Sequence, residues 1–202
     1  MKKNNLICFV QSLILLPVMT FSLGNIHNIE TYQNVLVKKV NIETNATLAF
    51  NQAIDAKVLN LQARADAIDA YFAERDMPLE GAGAKMVEEA EKNDIDWRLL
   101  PAIAVRESTG GKFDCKKVPN NAFGWGSCRI GFKSNDEAIE VVARNLGGNN
   151  PNTAKYYDNK TVKQILRPYN PPSIVPKYAE QVMSIMSAIG DADVMVISNI
   201  NT

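Results

Sequence analysis

Glu107 closes an apolar run, WRLLPAIAVRES, at residues 97–108. On a wheel of about 100° per residue, Leu99, Leu100, Ile103 and Ala104 form the bulkiest side. Glu107 falls four positions after Ile103 and seven after Leu100, so it projects from the middle of that side. A run that is apolar nearly all round belongs in the centre of a domain. A carboxyl at its C-terminal end loses solvation and meets the negative pole of the helix, and both effects raise its pKa. That is how a carboxylic acid becomes a proton donor usable near neutral pH. The plainer alternative is a helix-end glutamate that reaches solvent or pairs with Arg106 or Arg144. Pro101 must then lie in the first turn, where its missing N–H costs nothing.

Just downstream, NNAFGWG (120–126) sets two amides and two aromatic rings among glycines. Asn120 and Asn121 can donate and accept hydrogen bonds. Phe123 and Trp125 offer flat faces, and the glycines let a ligand approach the backbone. Amides beside aromatic faces suit a sugar polymer. The competing expectation is a tight turn whose rings point into the core.

Composition narrows the chemistry. The chain has 202 residues, 22 basic and 22 acidic, and a single histidine, His27. Because His27 lies near the N-terminus, a Ser-His-Asp triad or a Cys-His pair is not expected, and one histidine cannot make a multi-histidine metal site. No metal and no cofactor is expected. Balanced charge argues against a nucleic-acid partner, which calls for a basic surface. GAG at 81–83 has no strand before it and is not read as a phosphate loop.

The elements that must position Glu107 read as helices. Ile54, Val58, Leu61, Ala65, Ile68 and Phe72 recur at 3–4 spacing. MPLEGAG breaks that pattern, and Ala84, Val87, Ala90 and Ile95 mark a second helix. Asp96 is placed to cap the run that ends at Glu107. Ser134 and Glu137 form a capping box that opens a helix ending at Gly147. A short helix is expected from Thr161 to Leu166, ended by Pro168. A last one carries Pro176 near its first turn and Gly190 past its end. No convincing alternating strand is present, although 123–132 could form a short hairpin. The fold class expected is mainly α with that short β-hairpin.

The N-terminus reads as an address. Lys2 and Lys3 precede an apolar stretch from Leu6 to about Leu23, the pattern of an export signal. Residues 1–24 are expected to be a cleaved signal peptide or a retained membrane anchor, the latter the only membrane partner foreseen. Residues 25–50 read as a linker, 51–190 as the domain and 191–202 as a tail. Either fate of the signal places the domain outside the cytoplasm, secreted or held at the envelope. Cys115 and Cys128 then remain as an even pair in an oxidising compartment, and one bridge between them is expected. Closing such a loop is worth roughly 3 kcal/mol on chain-entropy arguments.

The order of motifs resembles the lysozyme-like superfamily: ESTGGKF, then NNAFGWG, then F-x-S-x-x-E-A-I, then Y-x-P and Y-A-E-x-V. The similarity runs from about Arg64 to Ile189 and is densest at 101–146. It is closest to the glucosaminidase-type peptidoglycan hydrolases, whose relatives include the soluble lytic transglycosylases. Transglycosylases usually carry Gly-Leu-Met-Gln after the alanine of the turn, and Phe-Gly-Trp-Gly stands here instead. The resemblance implies a lysozyme-like helical domain acting on the glycan strand of peptidoglycan, with Glu107 as the catalytic acid. It places Asn121, Phe123 and Gly124 in the substrate cleft. It also implies a tyrosine lining the site, Tyr169 before Tyr156.

A standard glycosidase uses two carboxylates at a set separation. Only Asp114 lies near Glu107 in sequence. Either Asp114 is base or nucleophile, or Glu107 works alone while a group of the substrate attacks and a tyrosine stabilises charge. Two other classes compete with a hydrolase: a non-catalytic envelope module that binds glycan, and an anchored helical adaptor for a protein partner. A lytic transglycosylase of the same superfamily is the alternative chemistry.

Overall fold

The computed structural model describes residues 29–190. The expected signal or anchor at 1–24 and the tail at 191–202 lie outside the described residues. Among the described residues the protein is mainly helical and has no strand. No described helix is long and apolar enough to cross a membrane.

Contacts divide the chain into two units, Met1–Asn51 and Gln52–Thr202. Helix α1 (Ile29–Ala73) runs through the division. Its part in the first unit makes the expected linker helical from Ile29 onward, with Val37, Val40, Leu48 and Phe50 exposed.

The second unit holds the core. Along α1 only the C-terminal part of the expected apolar face is buried: Ala65, Ile68 and Phe72, with Leu61 partly covered. Ile54 and Val58 are exposed. Asp69 of α1 accepts hydrogen bonds from the N–H groups of Gly81 and Gly83, both at 2.9 Å, and so ties down the start of α2 (Gly83–Lys92). Gly83 sits so close to α1 that an added Cβ would lie 2.3 Å from the Ala65 carbonyl oxygen. The α2 stripe of Met86, Val87 and Ala90 faces inward.

Helix α3 (Leu99–Ser108) is central and packs against α2, α5 (Asn135–Leu146) and α8 (Tyr178–Ile189). The expected Asp96 is not its N-cap, which is Arg98; Asp96 lies in the turn before, where its carboxylate accepts Arg98 N–H at 2.9 Å and pairs with the Arg98 guanidinium at 2.7 Å. Pro101 is the third helical residue, so no intrahelical hydrogen bond is forfeited. Leu99 through Ala104 are all buried. Each large apolar side chain there contributes about 1.5–3 kcal/mol. α3 ends because Thr109 turns left-handed, with Gly110 N–H reaching back to the Ala104 carbonyl at 3.1 Å.

Ser134 caps α5, accepting Glu137 N–H at 3.2 Å, while Glu137 accepts from Lys133 N–H. The expected short helix runs further than its proline implies: α7 (Val162–Tyr169) contains Pro168 in its last turn. Its start is a full capping box between Thr161 and Gln164. α8 begins two residues after Pro176, behind a left-handed Lys177.

The expected hairpin at 123–132 does not form. Its place is taken by turns around a four-residue helical segment, α4 (Trp125–Cys128), in which Gly126, Ser127 and Cys128 have positive φ. Groups that a ladder would pair are held instead by a side chain. The Asn121 amide donates to the Trp125 and Ile130 carbonyls at 2.9 and 2.8 Å and accepts Trp125 N–H at 2.9 Å. Cys115 and Cys128 are joined by a disulfide, with their Cα atoms 5.4 Å apart. The bridge holds this turn against the loop that follows α3.

Candidate functional site

The end of α3 sets the site. Ser108 is buried and bonds in two directions. Its hydroxyl lies 2.7 Å from the Ala122 carbonyl and accepts Gly111 N–H at 2.9 Å. The helix end and the 120–126 turn are thereby fixed to each other, and Glu107 is brought against Gly124. Gly124 has φ 62°, and a Cβ there would lie 2.9 Å from the Glu107 Oε2. Glycine is required at this position by both conformation and space.

Glu107 is half-buried at one side of a cleft of about 520 Å³. Trp125, Tyr157 and Tyr169 line the cleft with Ile174 and Pro171, and Glu107 is the only carboxylate among the lining residues. Tyr157 belongs to the short segment α6 (Ala154–Tyr157). The rings form a connected set: Trp125 lies 5.7 Å from Tyr169 and 6.3 Å from Tyr157, centroid to centroid. Tyr169 stacks on Tyr178 at 6.1 Å with planes 9° apart.

Tyr178, the first residue of α8, donates its hydroxyl to the Glu107 Oε1 at 2.6 Å. Burial raises the Glu107 pKa above the ordinary carboxylate value. The Tyr178 hydrogen bond and the neighbouring Arg106 oppose that shift without cancelling it. Burial first, with the neighbouring Tyr169 and the Glu107 carboxylate, pushes the Tyr178 hydroxyl far up, so it keeps its proton and acts as a donor. Tyr169 is pushed up for the same first reason, and its hydroxyl donates to the Phe123 carbonyl at 2.5 Å. Arg106 points across α8, donating to Gln181 at 2.8 Å.

The sequence-derived residues therefore separate. Glu107, Gly124, Trp125 and Tyr169 meet at one cleft. Asn121 and Phe123 do not reach it. Asn121 is 0% exposed and spends its amide on the turn's own backbone. Phe123 is 1% exposed and sits in the core, offering the site only its carbonyl through Tyr169. Both support the cleft from beneath and leave no face for a ligand. Tyr156 is 49% exposed and does not line the cleft, because α6 turns its neighbour Tyr157 inward instead. Asp114 also stays outside, its carboxylate accepting Cys115 N–H at 2.7 Å. Asn120 bonds the Phe132 carbonyl. Tyr178 is the residue that sequence reading passes over. Its only signal is the Y-A-E-x-V stretch, 71 positions from Glu107.

No protein-family model, no curated protein and no solved structure matches the chain.

Proposed function

We propose that this chain is an exported peptidoglycan hydrolase of lysozyme-like, glucosaminidase type, with Glu107 as general acid. The observation that carries the reading is the Glu107 carboxyl. It is the only acid lining a cleft walled by aromatic rings, and burial shifts it toward the protonated form. Aromatic faces suit stacking on sugar rings. A protonated carboxyl beside a bound glycosidic oxygen can donate to the leaving group.

Asp114 lies outside the cleft, which favours the route with one protein carboxylate. In that route Glu107 protonates the glycosidic oxygen as its bond to the anomeric carbon breaks. An N-acetyl oxygen or a hydroxyl of the substrate attacks that carbon. Tyr178, held as a hydroxyl, keeps the carboxyl oriented throughout. Attack by the N-acetyl oxygen closes a ring that water opens, the water's proton passing to the Glu107 carboxylate, and gives a hydrolysed sugar; attack by a hydroxyl of the same sugar, whose proton passes to that carboxylate, gives the anhydro product of a transglycosylase.

The same lack of a second carboxylate lends support to one rival, an envelope module that binds glycan without cutting it. Mass analysis of fragments released from purified peptidoglycan separates the readings. Release of disaccharide-peptides is expected, and the mass of the reducing end distinguishes hydrolysed from anhydro sugar. A protein that sediments with peptidoglycan but releases nothing would overturn the hydrolase reading in favour of the module.

A further inference from the structure

A second hollow of about 480 Å³ lies between α7 and α8. Asn170 lines both it and the cleft, and Tyr178 forms part of the second hollow while its hydroxyl reaches the acid of the cleft. Beside the Tyr178 ring, the polar side chains of the second hollow are Thr161, Lys163, Gln164, Arg167, Asn170 and Glu180. Lys163 and Glu180 face each other at 3.2 Å and offset one another. Gln164 uses its side-chain oxygen on the Thr161 N–H at 2.9 Å, which leaves its NH₂ group to donate. Arg167 has no ion-pair partner among the described residues and adds a full positive charge with five N–H donors. The hollow thus presents donors and one uncompensated cation, with Leu166 and the Tyr178 ring beneath.

We propose that this hollow is a subsite for a carboxylate-bearing peptide branch of the glycan whose backbone occupies the cleft. The assignment rests on the glycan reading above. A planar guanidinium flanked by two amides matches a carboxylate in shape as well as charge. Asn170 lines both hollows, so a branch leaving the cleft has the second hollow next to it. A bare polysaccharide would fill the cleft and leave the second hollow empty. A strand carrying acidic peptides would fill both.

The test uses the full chain carrying Glu107→Gln, so that ligand is bound and not consumed. Two probes are titrated by calorimetry: a peptidoglycan disaccharide bearing its tripeptide, and the same disaccharide without peptide. The peptide-bearing probe should bind about five- to tenfold more tightly, the order expected for one partly solvated charge-assisted contact. Adding Arg167→Ala should remove that advantage while leaving the peptide-free affinity unchanged. Arg167 is exposed, and an unchanged melting temperature shows that the fold is kept. Equal affinity for the two probes would overturn the subsite and leave the glycan reading standing. An advantage that persists in Arg167→Ala would do the same. Binding of neither probe would overturn both.

Discussion

Two glutamates near helix C-termini in this protein have opposite fates. Glu89, in α2, is 1% exposed yet fully engaged. Its carboxylate meets Lys85 at 2.9 Å and Lys92 at 3.4 Å, and Asn93 donates to it at 3.3 Å. Burial alone would raise its pKa, but the two lysines outweigh that and hold it below the ordinary value. Glu107, in α3, is less buried and has no cation in contact with its carboxylate among the described residues. Its close partner is a neutral hydroxyl, and its pKa is raised. Burial does not by itself decide what a carboxyl does. The charge of its nearest partners does, and only the acid without an ion pair opens onto a cleft.

The largest effect expected from breaking this contrast is on turnover. Glu107→Gln keeps the shape but cannot donate a proton, so on the proposed hydrolase reading muropeptide release should fall about 10²–10⁴-fold. The melting temperature should hold or rise at neutral pH. A folded-state pKa above the unfolded one means that stability declines as pH climbs from the ordinary carboxylate range through the raised value. The glutamine removes that penalty. Loss of folding in this variant would assign Glu107 a structural role.

Next comes Glu89→Ala, which should behave in reverse. It leaves Lys85 and Lys92 without their acceptor, while Asn93 keeps its 2.8 Å bond to the residue 89 carbonyl, and should cost about 2–3 kcal/mol of stability by denaturant unfolding. The sign with pH also inverts. A lowered folded-state pKa contributes stability above the ordinary carboxylate range, and that stability is lost as pH falls through the folded value. The acid limb of the parent's stability curve should therefore flatten in the variant. On the proposed hydrolase reading, muropeptide release should be unaffected once folding is accounted for.

Tyr178→Phe should have a smaller effect. Removing one hydrogen bond to a half-buried carboxyl costs about 1–2 kcal/mol of orientation and stability together. Because that bond lowers the Glu107 pKa, its loss should raise the pKa further. The alkaline limb of the activity profile should move to higher pH while the maximal rate declines. A limb that stays in place would mean that another group titrates there.

Much of this contrast was legible in the sequence on the Glu107 side. The 3–4 spacing of Leu99, Leu100, Ile103 and Ala104 placed the acid on the buried side of one helix, and periodicity is a local property. The Ser134 cap and the Cys115–Cys128 pair were readable for the same reason. What escaped was set by long-range packing. Asn121 and Phe123 have residue types that fit a binding wall equally well as a buried turn, and only the bridged loop and Ser108 decide between them. In place of the hairpin, Asn121 binds the Trp125 and Ile130 backbone groups, and Gly126, Ser127 and Cys128 take left-handed conformations that a strand does not use. Tyr178 is remote in sequence, and its meeting with Glu107 depends on α8 packing against α3. Ile54 and Val58 share the stripe of Ala65 and Ile68, but the core does not extend to them, and periodicity cannot report where a partner surface ends.

The central claim is that Glu107 is kept as a protonatable acid while Glu89 is kept as an anion. Carbon-13 titration of the side-chain carboxyls, with the two resonances assigned from Glu107→Gln and Glu89→Gln, measures both groups in one protein. Glu107 should titrate above the ordinary glutamate range and Glu89 below it. In Tyr178→Phe the Glu107 midpoint should rise again while that of Glu89 stays fixed. A Glu107 midpoint at or below that of an exposed glutamate would contradict the account, because such a carboxyl would hold no proton to give at neutral pH.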